Sequence, residues 1–202
     1  MGKLSLIGVA IALLIAISAF FYSRLHVVTR IIDGDTIEVF GYDKNIRLIG
    51  IDTAEDGECY REESTKVTRK LLLNKQVRIE TDANETDNFG RVLAYVYLTD
   101  GTFVNKQLLE KGAGEFFYES VNLKYQNELI SAAETARESR VGFWKACGPC
   151  VVKGNYDIHG KRYYHLPEFR HYSQVVVNLD KADRWFCSEE EAIEAGFVRA
   201  RD

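Results

Sequence analysis

The chain has 202 residues, 46% hydrophobic and 28% charged, which is enough for one domain with a real core plus a small appendage. Its net charge is −4, with 16 Lys/Arg against 21 Asp/Glu between residues 27 and 145, which excludes a protein that holds nucleic acid by bulk electrostatic attraction. Any such contact must run through a few arginines or a metal ion, and with only 2 Pro and 15 Gly a long disordered linker is not expected.

The chain opens on nineteen residues, 4–22, that carry no charge. Their length and composition predict a transmembrane helix or a long signal-peptide core. Ser5 and Ser18 are too few to give a helix a polar face. Ala16-Ile17-Ser18 makes a poor cleavage site, and the bulky Phe20-Phe21-Tyr22 that follows suits a membrane interface. An uncleaved anchor is the favoured reading and a cleaved signal the alternative. Lys3, Arg24 and Arg30 flank the segment and do not fix its orientation.

Two short segments next carry four carboxylates and an arginine. The β-type run 27–32 leads into Ile32-Asp33-Gly34-Asp35-Thr36, and Ile37-Glu38-Val39-Phe40 leads out. Asp33 and Asp35 are two apart and share a face in extended chain, and Gly34 lets the backbone bend between them. Gly41-Tyr42-Asp43-Lys44-Asn45 is a turn cluster that returns the chain as a second strand bearing Arg47 and delivering Asp52 and Glu55 at its end. Acids gathered this way repel unless a cation or protons separate them.

Further along, Asp56-Gly57-Glu58-Cys59 reads as a loop, and 62–73 as a helix ended by Asn74. A strand is expected over 76–81, a polar loop over 82–90 and a strand over 91–98, with Tyr95 and Tyr97 as barrel residues. Thr99-Asp100-Gly101-Thr102 reads as a hairpin turn, 103–111 as a short helix capped by Gly112, 115–118 as a short strand and 122–139 as a long amphipathic helix. Strand-rich sequence with a helix after the third strand predicts an α+β domain: a five-stranded Greek-key barrel of the oligonucleotide-binding (OB) type with about three helices. The expected division is a membrane anchor or signal at 1–23, the barrel domain at 24–146, and a small C-terminal α/β module at 147–202.

Four segments, taken in order, resemble the staphylococcal nuclease (thermonuclease) family over roughly residues 27 to 145. They are the two acidic segments with Arg47-Leu48-Ile49-Gly50-Ile51-Asp52-Thr53-Ala54-Glu55, the stretch Thr86-Asp87-Asn88-Phe89-Gly90-Arg91, the stretch Val104-Asn105-Lys106-Gln107-Leu108-Leu109-Glu110-Lys111-Gly112 with Phe116-Phe117-Tyr118, and Gly142-Phe143-Trp144. The resemblance implies the OB-type fold and one calcium ion held by Asp35, Asp52 and the backbone carbonyl of Thr53. It makes Glu55 the general base or water-orienting group, and Arg47 and Arg91 the grip on the scissile phosphate, where a guanidinium gives two parallel hydrogen bonds. Asp33 is expected to support the site from behind and Asp87 to organise its loop, while Tyr118 falls where family members place a tyrosine near the bound nucleotide.

The implied reaction is calcium-dependent hydrolysis of DNA and RNA that leaves 3′-phosphate ends. A nuclease kept inside would threaten the cell's own nucleic acid, so the domain is expected at the extracytoplasmic face, as a monomer. The sequence departs from the family at Ala54, where a proline is usual, and at Asn88 and Phe89, where lysine and tyrosine are common. The alternative function is a non-catalytic OB-type module that binds oligonucleotide or protein at the surface, which would need neither Glu55 nor Asp52.

Cys147-Gly148-Pro149-Cys150 marks the end of the nuclease-like part. Four cysteines allow three pairings, and outside the cell disulfides are expected. Cys59 with Cys147 and Cys150 with Cys187 is the favoured arrangement. The rival is a zinc site from Cys147, Cys150, Cys187 and a histidine such as His165. Ser188 before its acidic run is a helix cap.

Overall fold

The computed structural model describes residue 11 and residues 25–201. The expected membrane segment at 4–22 therefore lies, apart from Ile11, outside the described residues, and among these no helix is long and apolar enough to cross a membrane.

The first part of the chain is a closed barrel built from β1 (Leu25–Ile31), β2 (Thr36–Val39), β3 (Ile46–Leu48), β5 (Gln76–Glu80) and β6 (Val92–Leu98), in the order β1-β2-β3-β6-β5. β3 and β6 run parallel and the other pairs antiparallel, with one extra residue in β1 between Val28 and Arg30. Val28, Ile31, Ile37, Val39, Ile46, Leu48, Val77, Leu93 and Tyr95 fill its interior. Alternation along each strand places them there. Tyr95 keeps its hydroxyl satisfied by Asp82 and the Asn122 carbonyl.

A two-residue strand, β4 (Ile51–Asp52), leaves the barrel and pairs with β7 (Glu115–Phe116) as a separate ribbon. Helix α1 (Arg61–Leu72) follows the site loop, α2 (Val104–Glu110) and α3 (Gln126–Glu138) close the bottom of the core, and α4 (Phe143–Ala146) ends this part. Asn74 ends α1 in the left-handed conformation at φ 61. Buried Asn105 on α2 ties three segments together: it accepts from Val96 N and donates to the Ile49 and Ala94 carbonyls.

Two expected elements come out shorter. The ribbon strand stops at Phe116, because the antiparallel register would next set residues 117 and 118 against Gly50 and Ile49, and there Gly50 turns at φ 76 while Ile49 gives its N–H to the Ala94 carbonyl of the barrel. The long helix starts at Gln126 rather than 122, because Asn122 is pinned by two hydrogen bonds to the Asn84 backbone and one from Tyr95. The Asp100-Gly101 turn leads to a single bridge between Tyr97 and Phe103 before α2, not to a full hairpin.

The C-terminal residues form a second sheet, β10 (Arg184–Phe186), β8 (Val152–Tyr156), β9 (Arg162–His165) and β11 (Val198–Arg199), in that order, with helix α5 (Glu189–Glu194). They have their own core of Val152, Tyr164, Phe186, Ala192 and Phe197. Ser188 caps α5 by accepting from Glu191 N, and Glu191 reaches back to Cys187 N. Cys59 is joined to Cys147 and Cys150 to Cys187, which leaves no free thiol among the described residues for the zinc arrangement.

Candidate active site

The site is assembled where the β1–β2 turn meets the loop after β4. Asp33 Oδ1 accepts from the backbone N–H groups of Asp35 (3.1 Å) and Thr36 (2.7 Å), so this acid shapes the turn that presents its neighbour. Gly34 is required by close approach: a Cβ there would stand 2.6 Å from Thr53 Oγ1. Thr68 on α1 closes the turn from below, donating to the Gly34 carbonyl at 2.6 Å.

Asp35 is buried and heavily bonded. One oxygen accepts from Thr36 Oγ1 (3.0 Å) and pairs with Arg47 (3.0 Å); the other accepts from Thr53 N (2.8 Å) and Thr53 Oγ1 (2.9 Å). The Arg47 guanidinium, with 12% of its side chain exposed, bridges from Asp35 to Asp52 (2.9 Å) and also donates to the Ile51 carbonyl (2.6 Å). Burial raises the Asp35 carboxyl well above the usual range; Arg47 opposes this, and Asp33 and Asp52 push it further up. Burial also raises Glu55, and Asp33, Asp52 and Glu58 add to the effect against Arg47. Four carboxylates, Asp33, Asp35, Asp52 and Glu55, thus share the one Arg47 guanidinium at this point.

Arg91 joins the group through Thr36, whose hydroxyl lies 3.5 Å from Arg91 Nη1 and also bonds Asp35. Asp87 holds Arg91 in place by Nε (2.6 Å) and by the backbone N–H (2.9 Å), and takes the Phe89 N–H as well. Burial pushes the Asp87 carboxyl up, but these bonds outweigh it and hold the acid below its usual range. Asp33, Asp35, Arg47, Asp52, Thr53 and Arg91 thus form one connected network with Glu55 beside it. Tyr118 stands apart. It lines a groove of about 270 Å³ with Phe117, Tyr156 and Arg162. The Cys59–Cys147 disulfide closes the loop of residues 54–59 onto the end of α4.

Can these residues hold a hard cation? Among the described residues no three Asp, Glu, His or Cys side chains converge as a ready-made cage. The expected donors are two carboxylates and one carbonyl, with the remaining positions left to water and substrate. The surplus of carboxylate over guanidinium around Asp35 fits a divalent ion. Arg47 occupies Asp35 and Asp52, so an ion held by these two carboxylates would have to displace the guanidinium.

Asp52, Thr53 and Glu55 open into a cavity of about 570 Å³ whose far wall comes from the C-terminal sheet and helix, through Arg184, Ser188 and Glu191. No sequence motif marks that wall, nor Glu115, which lines the same cavity. Arg184 Nη2 bonds Glu115 Oε1 at 3.2 Å across 69 residues of sequence, and no local pattern marks either residue. Burial pushes the Glu115 carboxyl up to about 7; Arg184 opposes it, while Glu191 and Asp52 add to it.

The chain was compared with known proteins. The family described as Staphylococcal nuclease homologue matches residues 45–146. The thermonuclease of Staphylococcus hyicus is 37% identical over 129 residues, spanning 60% of this chain and 76% of that protein. The thermonuclease of Staphylococcus intermedius is 35% identical over 128 residues, 59% and 76% of the two chains. An uncharacterized endonuclease of Escherichia coli is 35% identical over 124 residues, 60% and 78%. With barrel, network and matches in agreement, the chain belongs to the staphylococcal nuclease homologue family and, with it, to the nuclease enzymes.

Proposed function

We propose that this nuclease hydrolyses phosphodiester bonds of DNA and RNA with one calcium ion and leaves 3′-phosphate ends. The observation that supports it most is the pairing of a carboxylate surplus at Asp35 and Asp52 with two guanidinium groups anchored at its edge. Asp35, Asp52 and the Thr53 carbonyl are the ligands. When bound, the ion would neutralise charge on the phosphoryl oxygens.

The chain's own residues do the rest. Arg47, once off the two aspartates, turns its fork to the phosphate, and Arg91 grips it from the Asp87 side. Glu55, exposed and raised above the usual carboxylate range, lies where it can orient a water and take its proton. Asp33 and Asp87 fix the turns that present Asp35 and Arg91. Tyr118, in its aromatic groove, contacts the nucleotide beyond the phosphate. Ala54 makes the Glu55 loop less rigid than a proline would, which slows the reaction without abolishing it.

On the same reading, residues 24–146 are the nuclease domain and 147–202 an appended module. Residues 1–23 anchor a monomer in the membrane or are cleaved as a signal, with the domain at the extracytoplasmic face. To test the activity, plasmid DNA and RNA are incubated with the full-length protein in calcium or in chelator, beside Arg47→Ala. Digestion in calcium alone, with 3′-phosphate ends, supports the reading. Undiminished digestion in chelator refutes calcium dependence, and none in either condition supports a binding module.

A further inference from the structure

We propose that Arg184, on the C-terminal strand β10, is a positioning residue for Asp52, acting through its ion pair with Glu115.

Asp52 sits on a ribbon with little support of its own. β4 is two residues long and its only strand partner among the described residues is β7, where Asp52 is in register with Glu115; on its other side Arg47 bonds the Ile51 carbonyl and the Asp52 carboxylate. A two-stranded ribbon of this length has negligible stability alone, so its position is set by its side-chain anchors: Ile51 and Phe116 in the core, Arg47 on the β4 side and Arg184 on the outer edge. Arg184 is the one that reaches it from the C-terminal sheet. Its guanidinium bonds the Glu115 carboxylate at 3.2 Å, with the two side chains 29% and 13% exposed. The ribbon has no slack on the near side either, because a Cβ on Gly114 would collide with the Asp52 carbonyl oxygen.

The anchor is itself fixed. β10 pairs with β8, Arg184 opposite Gly154; Cys187 at its end is joined to Cys150; and Trp185 between them lies under the Arg137 guanidinium, 4.4 Å from the ring centre. Position therefore passes from the C-terminal sheet to Arg184, to Glu115, and across the ladder to Asp52. Above about pH 7, where Glu115 is ionised beside Arg184, removing the guanidinium leaves a carboxylate near Asp52 and Glu191 that must move, draw in water or take up a proton. Each outcome loosens the outer edge of the ribbon. The C-terminal part then serves the site as a fixed wall, beyond any role in attachment or stability.

The inference rests on the calcium reading only for its consequence at the ion, so the first test needs no metal. Amide hydrogen exchange is measured on the full-length, metal-free protein in detergent. Arg184→Met is expected to speed exchange about tenfold over residues 50–56 and 114–117 while residues 25–48 keep wild-type rates. Arg184→Lys recovers most of the protection. Arg184→Met with Glu115→Gln, which removes both charges, also recovers it, as a merely missing contact would not. Wild-type exchange at 50–56 in Arg184→Met, or a double variant as fast as the single one, overturns the proposal.

The second test is a calorimetric titration with calcium alone. Arg184→Met is expected to weaken binding about tenfold, as for the loss of an outer support of a metal ligand, and the double variant to regain it. Equal affinity in wild type and Arg184→Met contradicts the proposal. A wild type that binds no calcium sinks the calcium reading and leaves the exchange comparison to decide this one.

Discussion

Two half-buried arginines mark two regions of this molecule, the barrel mouth and the seam between barrel and C-terminal sheet. Arg47 at the mouth faces both Asp35 and Asp52, and Asp33 and Asp52 add to burial in raising the Asp35 and Glu55 carboxyls. Arg184 at the seam bonds one carboxylate, Glu115. The first region gathers four carboxylates, Asp33, Asp35, Asp52 and Glu55, around one guanidinium, which is why the proposed function has a cation displace Arg47 there. The second is one guanidinium on one carboxylate, half-buried at the wall of the cavity, and costly to break because it leaves a carboxyl beside Asp52 and Glu191 without its partner. The contrast teaches how the chain divides its labour: the mouth carries the exchangeable charges, and the seam holds still the ribbon on which one of them stands.

Breaking the mouth gives the largest effect. Arg47→Ala is expected to lower the turnover of DNA by about 10²–10³-fold, as for the loss of one preorganised donor to a charged transition state, read as kcat at saturating substrate. The metal-free protein should also lose about 3 kcal/mol in a denaturant melt, because Asp35 is left buried without its partner. Arg47→Ala with Asp35→Asn should regain most of that stability and none of the activity. Activity near wild type in Arg47→Ala would dissolve the contrast between the regions.

Glu55→Gln separates chemistry from architecture. It should cost about 10²-fold in kcat. Because Glu55 is exposed, the melting free energy should stay within about 0.5 kcal/mol of wild type. A large loss of stability would mean that the site loop depends on this carboxylate.

Arg91→Lys is a smaller perturbation: the charge stays, while the Nε bond to Asp87 and the forked grip are lost. A rise in substrate KM by about tenfold is expected, with kcat affected less. An unchanged KM would take Arg91 out of phosphate binding.

Acid sharpens the comparison most gently. The Asp87 carboxyl is held low overall, so its stabilising contribution is present above the ordinary carboxylate range and is lost as pH falls through its depressed value. Asp35 is raised, so the metal-free fold favours its protonated form, and its ionisation costs stability as pH rises from the unfolded value through the folded one. Calcium competes with that proton. The rise in Tm on adding calcium should therefore be larger at about pH 8 than at about pH 5. An equal rise at both would argue against Asp35 as a ligand.

Much of the mouth was legible because its parts are close in sequence. Asp33, Asp35, Arg47, Asp52 and Glu55 lie in two segments joined by one turn, and alternation with a Gly-rich break locates them. Arg91 with Asp87 forms another local group. The barrel strands were legible from local pattern too: β2 and β5 alternate apolar and polar residues, and β6 is a continuous apolar run. What periodicity missed depends on distant partners. Asn122 reads as a helix residue until Asn84 and Tyr95 hold it out of one. The run 115–118 reads as a strand until its next partners, Gly50 and Ile49, turn away, Gly50 at φ 76 and Ile49 bonded to the Ala94 carbonyl. Arg184 and Glu115 carry no pattern at all, because their pairing is a property of the folded seam.

The central claim is that Asp35 and Asp52 exchange a guanidinium for a calcium ion. Calcium is titrated calorimetrically into wild type, Asp52→Asn and Arg47→Met, without nucleic acid. The account predicts one ion bound by wild type, little or none by Asp52→Asn, and binding at least as tight in Arg47→Met, where the competing guanidinium is gone although activity is lost. Weaker calcium binding in Arg47→Met, or undiminished binding in Asp52→Asn, would contradict it.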